Sequence, residues 1–185
     1  MSEPSQLYAR VRLSRPRLEE FLAGVFPDPS DDADVLAWLS SALYYGDRYT
    51  PQLIRERLAS QTTVGAWVDW LTEPASHGFA MPSRNGYDDE SQTWTLAVLD
   101  FSENYDDYLA AVAAFRTIAK YKDLAGDDGF LIFGYLFEES YIAAALRIGV
   151  NMSEFLDDSS AQSLVSEASA AMESLVAEGA AGADD

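Results

Sequence analysis

The 185-residue chain has no cysteine and a single histidine, His77. Without cysteine there is no disulfide framework and no thiolate metal or redox site. Zinc normally draws on several cysteines or histidines, so a zinc centre is not expected. A Ser-His-Asp site would have to be built on His77, which lies between Pro74 and Pro82 with no G-x-S-x-G nearby. It reads as a surface loop histidine. Basic residues are scarce, and only two of the 12 are lysines. Phosphate cradles of the G-x-x-x-x-G-K-[ST] or G-x-G-x-x-G type are missing too. The loop Asp123–Gly129 superficially resembles a calcium loop but lacks its alternating acids and the closing glutamate. No metal and no cofactor is expected, and no enzymatic activity.

Long apolar runs are also lacking. No window approaches the roughly 18 apolar residues of a membrane span. At the N-terminus Leu7, Ala9 and Val11 alternate with Tyr8, Arg10 and Arg12, so no signal peptide is expected. Absence of cysteine suits a reducing compartment. The expectation is a cytoplasmic protein.

What is present is core-forming material and acid. Hydrophobic residues make up 48% and aromatics 12%, enough for a packed domain rather than a disordered acidic chain. The 31 acidic side chains against 12 basic ones give a net charge of −19. That charge is uneven: residues 1–84 carry 8 basic and 11 acidic residues, whereas residues 85–185 carry 4 and 20. Such a field disfavours nucleic acid and anionic membranes and steers towards basic partners, or serves solubility alone. The arginines at 10, 12, 15 and 17 form the one basic cluster, and at this net charge they are expected to pair with the chain's own acids.

The chain is organised around residues 92–139. Thr93–Phe101 and Phe130–Phe137 read as strands, apolar on both faces and therefore covered on both sides. Between them Tyr108, Ala111, Val112, Phe115, Ile118 and Ala119 recur at helical spacing, which predicts a helix over Glu103–Lys122. Acids in its first turns and lysines in its last oppose the helix dipole, and Ser102 is the expected N-cap.

Before this unit, residues 6–13 alternate as a half-buried strand, read as a sheet edge because of its arginines. Short helices follow after Ser14, over about 32–45, after Thr50-Pro51, and from about Thr63. Residues 74–92 read as loop, with a brief strand at Gly78–Met81. After the unit, Ser140–Val150 is divided between Ala143-Ala144-Ala145, which favours helix, and its β-branched residues, which favour strand; strand is preferred. Ser153–Leu156 reads as a turn or helical start. From Ser159 to Glu178, Leu164, Val165, Ala168, Ala171, Met172, Leu175 and Val176 form an amphipathic seam, which docks on its own domain or pairs with a second copy. The expected architecture is α+β: a globular domain over 1–156, with a mixed or antiparallel sheet of about four strands and helices packed on it. Residues 157–185 form a C-terminal helix and acidic tail.

For function, tyrosines mixed with acids stand out. Tyr45, Asp47 and Tyr49 follow one helix, Tyr87, Asp88, Asp89 and Glu90 fill a loop, and Asp106 and Asp107 open the central helix between Tyr105 and Tyr108. Interfaces favour aromatic anchors within acidic, steering rims. The leading expectation is an acidic binding protein that inhibits a more basic partner by occluding it, as an immunity protein guards against a bacterial toxin. Against it stand a nucleic-acid mimic, a carboxylate pocket using Glu138, Glu139 or His77, and an assembly subunit that dimerises through the C-terminal helix.

Overall fold

A computed structural model describes residues 5–41, 50–60, 62–73, 82–102, 104–134 and 141–181. The elements follow in the order β1 (Ser5–Arg12), α1 (Arg15–Ala23), α2 (Ala33–Ser41), α3 (Pro51–Leu58), α4 (Val64–Thr72), β2 (Ser83–Asp88), β3 (Thr93–Ser102), α5 (Tyr105–Ile118), β4 (Asp128–Phe133), β5 (Ile142–Gly149), β6 (Met152–Phe155) and α6 (Gln162–Ala181). The class is α+β, as the patterning implied.

The sheet is larger than expected. Six antiparallel strands run in the order β2-β3-β1-β4-β5-β6. Both extra strands lie where turn chemistry dominated the sequence signal. β2 occupies part of the stretch read as loop, with Asn85 and Gly86 at its centre, and β6 replaces the expected turn at Ser153–Leu156. The expected strand at Gly78–Met81 lies outside the described residues.

β1 is central, not an edge. It pairs with β3 on one side and β4 on the other, so those two strands run parallel to each other with β1 between them. Arginine misled because Arg10 and Arg12 point to the face covered by the last helix, where Arg10 meets Glu167 at 2.8 Å. The segment Ile142–Gly149 is strand, as preferred.

Side-chain alternation divides the core in two. Leu7, Ala9, Val11, Trp94, Leu96, Phe130 and Ile132 face the layer of α1–α5. Tyr8, Ala97, Leu99, Leu131 and Phe133 face α6, whose Leu164, Ala168, Met172 and Leu175 close the second core. The C-terminal seam is thus occupied by the chain's own sheet. At the centre of the first core, the Phe115 ring stacks on Trp94 at 5.7 Å and on Phe130 at 4.5 Å. α5 is buried on almost every side, because Ala110, Ala111, Ala113 and Ala114 let its neighbours approach closely.

Caps fix the helix starts. Thr50 accepts from the Leu53 amide at 3.2 Å and Thr63 from Ala66 at 3.1 Å. For α5 the cap is Asn104, which accepts from the Asp106 amide, rather than Ser102. Ser102 instead donates to Asp107 at 2.6 Å. A fully buried ion pair, Lys122 with Asp128, ties the end of the α5 connection to β4, and Lys122 also donates to the Arg12 carbonyl at 2.9 Å.

Candidate functional site

A groove of about 840 Å³ opens where α2, the start of α5 and the outer half of the sheet meet. Its floor is Ile142–Ala145 of β5, and its walls include Trp38, Tyr105, Tyr141 and Phe155. The local chain explains each position. Trp38 extends the apolar stripe of α2, stacks on Phe155 at 5.8 Å, and donates its indole N–H to the Ala143 carbonyl at 2.9 Å. Tyr105 is the first residue of α5, with its ring 5.2 Å from that of Tyr108. Tyr141 enters β5 flat against Gly134, where a Cβ would collide with its ring, so glycine is required there.

Below the groove lies a cluster of hydroxyls. Ser5 Oγ contacts both Tyr108 OH and Tyr141 OH, the latter at 2.5 Å, and Tyr108 OH donates to the Ser102 carbonyl at 3.1 Å. Burial, together with the neighbouring Tyr141 hydroxyl, pushes the Tyr108 phenol well above its ordinary range. Tyr108 is thus a neutral hydrogen-bond donor in this cluster.

Among the described residues, the charged side chains that line the groove are all acidic: Asp34, Glu154 and Asp158. Asp34 pairs with Arg116 at 2.9 Å, and Glu154 with Arg147 at 2.6 Å. Asp158 is exposed, and its carboxylate has no partner among the described residues. The Arg116 guanidinium also lies over the Phe155 ring, 5.4 Å from its centroid, and pairs with Asp32 at 2.9 Å. This is an apolar, aromatic trough with an acidic lip, suited to a ligand that carries positive charge on an apolar stem.

The residues singled out from sequence fall into three groups. Tyr45, Asp47 and Tyr49 lie outside the described residues, as do His77, Glu138 and Glu139. Tyr87, Asp88, Asp89 and Glu90 form the β2–β3 hairpin, closed by Gln92 at a positive φ of 52°. There Asp88 accepts from Ser91 and from the Glu90 amide, both of which hold its carboxyl below the usual range. Asp89 is lowered by Arg15, which grips it through two nitrogens and stacks over Tyr87 at 4.5 Å. Asp106 faces Arg57 at 3.3 Å, and half-buried Asp107 is raised by desolvation. Most of these carboxylates have partners within the fold.

The hairpin and the start of α5 stand at opposite ends of β3, ten residues or roughly 30 Å apart. They do not form one surface. Only the α5 start adjoins the groove. Trp38, Tyr141, Phe155, Glu154 and Asp158 escaped the sequence reading because three separate segments supply them. The one local signal was the aromatic at Trp38, wider than a helix stripe needs.

Among the described residues no group of three or more histidines and carboxylates is placed to hold a metal, and no helix is long and apolar enough to cross a membrane. No family model matches the chain, and neither does any curated protein or solved structure.

Proposed function

We propose that the chain is an acidic binding protein that inhibits a more basic protein by occluding it, in the manner of an immunity protein acting on a toxin or enzyme. The observation that carries this reading is the groove with aromatic walls whose charged lining, among the described residues, is acidic: Asp34, Glu154 and Asp158. Aromatic anchors in a desolvated trough are the usual centres of binding energy, while acids at the rim govern encounter and specificity. The excess of 20 acidic over 4 basic residues in 85–185 extends the same field over the half of the chain that supplies most of the groove. A cytoplasmic location and the lack of catalytic activity belong to the same reading.

A small-ligand pocket is the second reading, favoured by the groove's volume of about 840 Å³, within the roughly 300–1,000 Å³ of ligand sites. The test is affinity capture from a lysate of the source cells at low salt, with wild type beside an Asp158→Lys/Glu154→Lys variant. The inhibitor reading expects one stoichiometric basic protein on wild type, released by salt, absent from the variant, and losing its own activity when bound. Capture that ignores both salt and the variant, or a protein whose activity survives binding, overturns it. A small molecule carried by the wild type alone decides for the pocket.

A further inference from the structure

The two edges of the sheet are finished differently. Leu156 N bonds Ala145 O in the register of the β5–β6 pair, so the polar groups of Ala145 and Ala143 in β5 and of Ser153 and Phe155 in β6 alternate about that bond. On this basis Ala143, beyond the reach of β6, and Ser153, on its outer side, expose carbonyls at the edge. Both are covered by side chains: Trp38 donates to Ala143 O at 2.9 Å and Arg116 to Ser153 O at 3.4 Å. Trp38 and Arg116 thereby obstruct that edge.

At the other edge, Leu13 N bonds Gln92 O in the register of the β1–β3 pair, which fixes the hydrogen-bonding direction of every residue in β3. Thr93, Thr95 and Ala97 therefore point their polar groups at β2, where they meet Asp88, Gly86 and Arg84. It follows that Ser83, Asn85 and Tyr87 point theirs outward. None of these outward amides and carbonyls has a partner among the described residues. A Cβ at Gly86 would find nothing within 4 Å. Among the described residues nothing blocks this six-residue edge, and such an edge is a template for another strand.

We propose that the strand it takes is β2 of a second copy of this chain, antiparallel, about a two-fold axis at Gly86. The charge pattern selects this occupant and this register. With Gly86 opposite its symmetry mate, Asn85 and Tyr87 of the two copies exchange main-chain hydrogen bonds in two symmetric pairs. Arg84 of each copy then stands opposite Asp88 of the other, in the closely spaced non-hydrogen-bonded position where side chains meet. Both residues project to the α6 face, where Arg84 already reaches Glu178 at 2.6 Å. The Asp88 oxygens, each holding one bond within the hairpin, retain lone pairs for a guanidinium. The edge is complementary to itself, as an isologous dimer requires. The C-terminal seam, occupied by the sheet, does not serve this purpose.

Light scattering on the full chain across a concentration series, with hydrogen exchange at both ends of that series, tests the proposal. Wild type should move towards twice the 20.3 kDa chain mass. In the same series the Asn85 and Tyr87 amides should become slow to exchange, while the Gly86 amide, already bonded to β3, does not change. Arg84→Asp and Asp88→Arg each turn two attractive cross-strand pairs repulsive, and should weaken association about tenfold or more. The combined Arg84→Asp/Asp88→Arg chain should recover it. A wild type that stays monomeric with unchanged exchange overturns the proposal. So does a dimer indifferent to both single reversals, or a folded double variant that does not recover. The exchange arm needs no variant, so misfolding of a mutant does not obscure the result.

Discussion

The indole of Trp38 donates to the carbonyl of Ala143 at 2.9 Å, joining α2 to the unpaired half of β5 across 105 positions of sequence. This contact covers one exposed carbonyl of the sheet edge and forms the corner of the groove. Trp38 is 8% exposed. Replacing it with phenylalanine keeps the stacking on Phe155 but leaves the carbonyl without its donor, a loss of about 1–2 kcal/mol. Trp38→Ala also removes the ring, and should cost ~3–5 kcal/mol. Urea unfolding of both variants measures the difference, and a Trp38→Phe chain as stable as wild type would show that the hydrogen bond contributes nothing.

The Lys122–Asp128 pair is wholly buried, so its two charges depend on each other. Lys122→Met strands the Asp128 carboxylate in the interior and should cost about 3–5 kcal/mol. Adding Asp128→Leu removes the stranded charge and should recover most of that loss. Thermal or urea unfolding of the single and double variants tests this non-additivity.

Tyr8 and Tyr108 are both held well above the ordinary phenol range, and Tyr87 is raised as well. Burial and the Glu167 carboxylate raise Tyr8, and burial raises Tyr108. Ultraviolet titration should show late ionisation steps, and Tyr8→Phe and Tyr108→Phe should each remove one of them. The sign for stability follows directly. Above about pH 10 the unfolded chain loses these protons while the folded chain keeps them, so stability falls as alkali is added.

At the acid end the direction reverses. Asp88 is held low by Ser91 and Glu90, Asp89 by Arg15, Asp157 by the Ser160 amide and Ser159, and Glu178 by Arg84. These carboxylates favour the folded state above the ordinary carboxylate range, and that contribution is lost as pH falls below about 4. The hairpin depends on two of them, so the Gly86, Asp88 and Thr93 amides, which bond across the β2–β3 pair, should be the first strand amides to lose exchange protection on acidification.

The repeating parts of the fold were legible because period and capping are local properties. The stripe of α5, the Thr50-Pro51 start and the seam of α6 all emerge from spacing alone. β2 was not legible, because Asn85 and Gly86 carry turn chemistry, and their strand state depends on pairing with β3. β1 was misplaced at an edge because Arg10 finds Glu167 only after α6 folds back over the sheet. The groove was invisible for a related reason. Trp38, Tyr105, Tyr141 and Phe155 share no periodicity, and only the sheet order brings them together.

The most direct test of the binding account is calorimetric titration of the captured basic protein with wild type and with Asp158→Lys/Glu154→Lys, at low and at physiological salt. Tight binding by wild type that weakens with salt, and a loss of about tenfold or more in the variant at low salt, is the predicted result. Equal affinity for both chains at both salt concentrations would contradict it.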